Sequence, residues 1–281
     1  MTVETQSDRT LLSASLTVNY TGKQPVLRDV KLEIRSGEVL GLIGQSGSGK
    51  STLAMAILGL LEKNRAQAEG SVLFENHELL HLPERDLRSV RGRQISLVLQ
   101  SPLSSLNPAL KIRTQMKEAW RAHAAGAQID CANAIYDSLS SVSLPTDRDF
   151  LKKYPSQMSV GQAQRVLIAM AIMHRPALLI ADEATSALDV ITQAEILKLF
   201  RELNRSIGMA ILYISHDLAS VAGICDRIAI LHEGGIVECG ATEEIFARPQ
   251  HEYTKKLMDA LPQLGFRGPE PRVKAEAAAA R

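Results

Sequence analysis

Two groups of residues in this 281-residue chain have types and spacings that could do chemistry. The first is Gly44-Gln45-Ser46-Gly47-Ser48-Gly49-Lys50-Ser51, followed by Thr52. Its glycines let backbone N–H groups turn inward around phosphate oxygens, and a helix starting behind the loop aims the positive end of its dipole at them. Lys50 is placed to reach the β- and γ-phosphates of a nucleoside triphosphate, and the Ser51 hydroxyl to ligate Mg²⁺. The second group is Asp182-Glu183, which closes the apolar run Leu178-Leu179-Ile180-Ala181. Such a run delivers its carboxylates at the C-terminal edge of a sheet, where open α/β folds collect ligands. There Asp182 would hold Mg²⁺, directly or through water, and Glu183 would polarise an attacking water. Taken singly, the plain readings are a glycine-rich turn with a chance lysine and a strand ending at solvent; each group strengthens the other.

The elements that must position these residues are legible around them. Val30, Leu32 and Ile34 alternate with charged residues, the period of a half-buried strand. Ser36-Gly37 punctuates, and Val39-Leu40-Gly41-Leu42-Ile43 follows as the continuous apolar run of a buried parallel strand. Residues 50–61 read as a helix with Leu53, Ile57 and Leu60 on one face. The glycine-rich segment thus lies between a buried strand and a helix start, as a phosphate loop requires. Further apolar runs at 95–99, 177–181, 210–214 and 228–231 are mostly separated by helical patterns, which predicts a mainly parallel sheet. The middle differs: Ile112, Met116 and Trp120, then Ile135, Leu139 and Val142, keep a helical rhythm without any strand-like run between 110 and 144.

Composition narrows the setting. The chain is 45% hydrophobic and 22% charged with a formal net charge of +1, which gives no bulk electrostatic case for a nucleic-acid partner. Cys131, Cys225 and Cys239 lie far apart without metal-ligand spacing, and the absence of a disulfide framework makes a reducing cytosol the simplest compartment. Residues 1–9 are polar, with Glu4 and Asp8, unlike a secretion signal. The longest apolar stretch, near 166–180, is cut by His174, Arg175 and Pro176, too short to span a bilayer.

Between the two groups stands Met158-Ser159-Val160-Gly161-Gln162, then Ala163-Gln164-Arg165 and an apolar helix. By itself this is a polar helix start with Ser159 as N-cap. Its place between the loop and the carboxylates resembles the Leu-Ser-Gly-Gly-Gln signature of ABC ATPases. Other positions fall in that family's order. Gln100, at the end of the 95–99 run, looks like the Q-loop glutamine, which contacts Mg²⁺ and the attacking water. Ser186-Ala187-Leu188-Asp189 looks like the D-loop, and His216 like the switch histidine at the γ-phosphate. Tyr20 is placed like the aromatic residue that stacks on adenine; alone, it would read as core or surface, and His216 as structural.

The resemblance covers about residues 11–262. It implies ATP and Mg²⁺ as cofactors, an α/β phosphate-loop NTPase core with a mainly parallel sheet, an N-terminal antiparallel β portion and an inserted helical subdomain. The expected division is one ATPase domain over 1–262, with the α/β core at about 10–101 and 161–245, the helical subdomain at about 102–160, and a poorly ordered tail at 263–281. Such subunits pair head to tail, so Ser159, Gly161 and Gln162 would serve the ATP of a partner subunit, either a second copy or a paralogue. Met158 for leucine conserves volume. Val160 for glycine removes backbone shapes that only glycine adopts, which suggests slow turnover or a weaker site.

Two stretches indicate a branch. Gln100-Ser101-Pro102-Leu103-Ser104-Ser105-Leu106-Asn107-Pro108 resembles the extended Q-loop of oligopeptide, dipeptide and nickel importer ATPases. Pro249-Gln250-His251-Glu252-Tyr253-Thr254 resembles that branch's Pro-x-His-Pro-Tyr-Thr segment, with Glu252 in place of proline. No cysteine cluster follows, so no iron–sulfur cluster is expected. The resemblance implies a peripheral subunit on the cytoplasmic face of a cell membrane, bound to integral-membrane permeases and served by an extracytoplasmic solute-binding protein. A soluble ABC ATPase of a non-transport complex, as in phosphonate breakdown, stays open. A DNA-repair or translation protein would need a coiled-coil insert or tandem nucleotide units, and a kinase-like phosphotransferase gives the signature no task.

Overall fold

The computed structural model describes residues 9–22, 24–62, 64–123 and 128–260. Residues 1–8 of the polar 1–9 stretch, read as unlike a secretion signal, and the tail at 263–281 lie outside these. In chain order the strands are β1 (Thr10–Tyr20), β2 (Leu27–Arg35), β3 (Val39–Ile43), β4 (Ala66–Phe74), β5 (His77–Glu78), β6 (Ile95–Val98), β7 (Leu178–Asp182), β8 (Ala210–Ser215), β9 (Arg227–His232) and β10 (Gly235–Ala241). The helices are α1 (Lys50–Ile57), α2 (Glu84–Val90), α3 (Pro102–Ser105), α4 (Ile112–Arg121), α5 (Gln128–Ser141), α6 (Arg148–Leu151), α7 (Val160–Ile172), α8 (Val190–Ile207), α9 (Leu218–Ile224), α10 (Thr242–Ala247) and α11 (Glu252–Asp259).

Strands β2-β1-β4-β5 form an antiparallel sheet, and β10-β9-β3-β8-β7-β6 form a second sheet that is parallel except for β10. The period-two stripe of β2 pairs with that of β1, Leu12 opposite Ile34, Ala14 opposite Leu32 and Leu16 opposite Val30. The continuous apolar runs of the central strands have a direct cause: both faces of this sheet are covered. Leu40, Leu42, Leu178, Ile180, Leu212 and Ile214 pack with α1 and the antiparallel sheet. Val39, Ile43, Leu179, Ala181, Ile211 and Tyr213 pack into a second cluster with α4, α5, α7, α8 and α9. Burying each such side chain stabilises by roughly 1.5–3 kcal/mol, which pins the strand register.

Residues 102–123 and 128–157 are helical and irregular, with a 3-10 turn at Pro155–Gln157, and α7 packs against α3, α4 and α5. One expectation is corrected. The helix after the glycine-rich loop stops at Ile57, because Gly59 follows in the left-handed region at φ 60°. Leu60 therefore lies beyond the helix and is 44% exposed instead of sharing the buried face of Leu53 and Ile57.

Candidate nucleotide site

The glycine-rich segment leaves the C-terminal end of β3, the central strand, and α1 starts behind it. Gly49 is the helix N-cap at φ 107°; a Cβ there would lie 2.6 Å from Leu27 Cδ2 and 3.2 Å from the Val26 carbonyl oxygen. Only glycine meets both demands. No side chain caps α1 and no acidic residue lies in its first turn, so its N-terminal amides are left to an anion. Lys50 is buried and its Nζ donates to the carbonyls of Gly44 (2.8 Å) and Gln45 (3.0 Å). Burial pushes its pKa down, while Glu183 and Asp182 pull it back up.

Asp182 ends β7 in register with Ile214 of β8. It is buried, and its Oδ1 has no hydrogen-bond partner. Burial raises its pKa above the usual carboxylate value, the Ser51 hydroxyl opposes this, Glu183 adds to it and Lys50 opposes it. An orphaned buried carboxylate oxygen beside a serine hydroxyl suits a hard cation. Among the described residues no cluster of three or more histidine, cysteine or acidic side chains could hold a metal alone. Two protein oxygens with the remaining positions left to phosphate and water is the ligand pattern of Mg²⁺.

Glu183 stands just past the strand end at φ 49°, a left-handed conformation that costs a non-glycine residue about 1 kcal/mol or more. Its N–H donates to Ile214 O (3.0 Å), and its Oε1 lies 3.3 Å from Nδ1 of His216, which follows β8. Thr185 is tied beneath it by a 2.8 Å hydrogen bond to the buried Tyr213 hydroxyl. The carboxylates, the loop and Gln100 all arise from the C-terminal ends of β3, β6 and β7, and β8 adds His216.

The result is a cleft of about 390 Å³ lined by Val26, Ser46, Gly47, Gly49, Lys50, Ser51, Thr52, Gln100, Asp182 and Glu183. Gly44, Gln45 and Ser48 form the root of the loop, where the Ser48 N–H donates to Gln45 O (3.2 Å). Tyr20 does not line this cleft; it borders a separate one with Met55, Leu60 and Arg65. Ser159, Gly161, Gln162 and Asp189 also stand outside it.

They lie at the starts of α7 and α8, which meet through Gly161 and Thr192. Ser159 caps α7 reciprocally: its Oγ accepts from Gln162 N (3.2 Å), and Gln162 Oε1 accepts from Ser159 N (3.3 Å). Asp189 caps α8, accepting from the N–H groups of Ile191 (3.1 Å) and Thr192 (3.0 Å) and from the Thr192 hydroxyl (2.7 Å). These backbone bonds hold its carboxyl below the usual range. A Cβ on Gly161 would lie 2.7 Å from the Thr192 methyl. One turn further, Arg165 pairs with Glu195 (3.0 Å), and Gln193 reaches Asp217 beside His216 (3.1 Å). The start of α8 therefore links the segments around residues 161, 189 and 216. Val160 is the first residue of α7 and has no positive φ, so the expected backbone conflict does not arise. What valine adds is a 38% exposed apolar side chain at the start of α7, and the start of α8 likewise exposes Val190 and Ile191. Met158 is buried in the helical core.

Residues 27–186 match the ABC transporter family profile, and residues 237–279 match the profile of the oligopeptide/dipeptide transporter C-terminal region. The chain belongs to the ABC transporter ATP-binding proteins, in the oligopeptide/dipeptide branch. It is 42% identical over 249 residues to the oligopeptide transport ATP-binding protein OppD of Salmonella typhimurium, covering 89% of this chain and 74% of that one. Against the dipeptide transport ATP-binding protein DppD of Bacillus subtilis it is 39% identical over 252 residues, covering 89% and 75%. A solved dimer of the ATP-binding cassette MJ0796, bound to ADP and Pi, superposes with a TM-score of 0.70 at 27% identity, covering 82% of this chain and 98% of that one. The cassette is thus an ATPase of the transport-coupled family, and its fold carries the expected antiparallel portion, mostly parallel sheet and helical insertion. No helix among the described residues is long and apolar enough to cross a membrane.

Two contributors escaped the sequence reading. Val26 lines the cleft from the turn before β2, and nothing in its local sequence marks it. Tyr253 touches the loop from 208 residues away; its segment was legible as a branch marker and not as part of the site.

Proposed function

We propose that this cassette binds MgATP in the cleft between Lys50 and Asp182 and uses its hydrolysis to drive import of peptides or similar small solutes such as nickel chelates. The observation that carries the reading is the placing of Asp182, whose Oδ1 is left without a partner, close to Lys50 and Ser51 at the mouth of an uncapped helix. Gly44 to Thr52 surround the phosphates, with Lys50 donating to the β- and γ-phosphoryl oxygens in place of its present carbonyl partners. Ser51 and Asp182, with Gln100, hold Mg²⁺, which when bound neutralises charge developing on the phosphates. Glu183 accepts the proton of the attacking water, and His216, beside it, contacts the γ-phosphoryl group. Tyr20 stacks on the adenine from outside the phosphate cleft.

Ser159, Gly161 and Gln162 serve the nucleotide of a facing subunit, a second copy or a paralogue; their position outside this chain's own cleft supports that pairing. Closure and opening of the pair is transmitted through the Gln100 loop and the helical segment to integral-membrane permeases. The subunit then works peripherally on the cytoplasmic face, and an extracytoplasmic binding protein supplies the solute. The test is reconstitution with oligopeptide permease subunits in vesicles carrying ATP inside. Uptake of labelled peptide should require both ATP and the binding protein. Co-purification with soluble enzymes alone, without permeases, would contradict transport.

A further inference from the structure

The C-terminal segment that marks the branch folds back onto the phosphate loop. Glu238 of β10 accepts the backbone N–H groups of Gln250 (2.9 Å) and His251 (3.0 Å), which fixes the approach to α11. His251 then caps that helix, its Nδ1 accepting from Tyr253 N (3.1 Å). Tyr253 is thereby turned inward and buried. Its ring stacks on His232 at the end of β9, with centroids 3.7 Å apart and planes 14° from parallel. Its hydroxyl oxygen accepts the N–H of Gln45 at 3.2 Å.

Gln45 is held from both sides, since its carbonyl accepts from Lys50 Nζ at 3.0 Å. Next to it, Gly44 lies so close to β9 that a Cβ would approach Leu231 O to 2.3 Å. Besides the turn bond from Ser48 N–H to Gln45 O, the root of the loop is held by its close approach to the β9 backbone, by Lys50 and by the Tyr253 hydroxyl. Lys50 must exchange its carbonyl partners for phosphate when nucleotide enters, which leaves β9 and Tyr253 to hold the root from outside the loop.

We propose that Tyr253 is a positioning residue of the nucleotide site, through which the branch's C-terminal segment sets the affinity for ATP. It lines no part of the cleft and acts through Gln45. The inference rests on the reading of residues 44–52 as the ATP phosphate site.

Tyr253→Phe keeps the ring stack and removes only the acceptor. Binding of ATP to the purified full chain, and ATP turnover after pairing, are compared with the parent, with amide hydrogen exchange followed on peptides covering the loop and β8. The expected result is a 3- to 10-fold weaker ATP affinity, the size of one lost hydrogen bond, with a rise in KM that exceeds any fall in kcat. Exchange should speed up in the loop peptide and stay as it was in β8. A variant that binds ATP within twofold of the parent, or that weakens without faster exchange in the loop, overturns the proposal. So does one whose exchange rises equally throughout the sheet, because Tyr253 would then be only part of the packing. A parent chain that fails to bind ATP would instead overturn the reading of the loop itself.

Discussion

Gly161→Ala brings two opposing effects into a contact whose geometry is known. Alanine in a helix is favoured over glycine by about 0.5–1 kcal/mol. The new Cβ, however, would stand 2.7 Å from the Thr192 methyl, roughly 1 Å inside a comfortable carbon–carbon contact. Thr192 cannot simply turn away, because its hydroxyl donates to Asp189 at 2.7 Å and that bond is worth about 1 kcal/mol. Overpacking of this kind costs about 1–3 kcal/mol, so the clash wins by roughly 0.5–2 kcal/mol. At about 2–4 °C per kcal/mol, the melting temperature should fall by about 1–8 °C. Thr192→Ser deletes the obstructing methyl and keeps the hydroxyl. In that background the sign should invert, with Gly161→Ala now stabilising through helix propensity alone. Thermal melts of the four proteins form a double-mutant cycle. Equal effects of Gly161→Ala in the two backgrounds would refute a close contact between α7 and the start of α8.

Lys50→Met should weaken ATP binding by about 30- to 1,000-fold, from the loss of about 2–4 kcal/mol of charge-assisted hydrogen bonds to phosphate; an equilibrium titration showing less than a threefold loss would count against it. Asp189→Ala should lower the melting temperature at neutral pH. Because the folded state holds the Asp189 carboxyl below its usual value, its contribution is present above the unfolded pKa and lost as pH falls through the folded one. Melts of parent and variant should therefore converge in strong acid, and a gap that persists there would contradict a charge-dependent cap. Val160→Gly should leave turnover of the assembled pair within twofold, since the valine sits in ordinary helical backbone. A tenfold gain would show that its exposed isopropyl group obstructs the facing nucleotide.

How far the sequence could be read followed from how local the cause was. Val39–Ile43 announced itself because a strand covered on both faces has no polar position to spare. Asp182 and Glu183 were legible because a sheet places strand ends together and the loop had already located the edge. Leu60 was misread because helical spacing continued past Gly59, whose left-handed turn ends the helix first. Strand β10 gave no signal, for an edge strand carrying Glu238, Cys239 and Gly240 has little apolar pattern. The Tyr253–Gln45 contact lay beyond any local pattern, since it depends on β9 and β10 bringing α11 back to the loop that follows β3. Val160 was judged by the glycine it replaces, and only its place at the start of α7 shows that helical backbone suffices.

Whether the cleft hydrolyses ATP through Glu183 is tested most directly by the steady-state turnover of Glu183→Gln in the assembled pair, alongside its affinity for MgATP. Glutamine keeps the size and a hydrogen-bonding oxygen but cannot take a proton from water. Turnover should fall at least about 100-fold, the usual span of a general base, while MgATP affinity stays within a few-fold and an ATP-locked pair accumulates. Near-normal turnover in that variant would contradict the assignment of Glu183 and with it the chemistry proposed for the cleft.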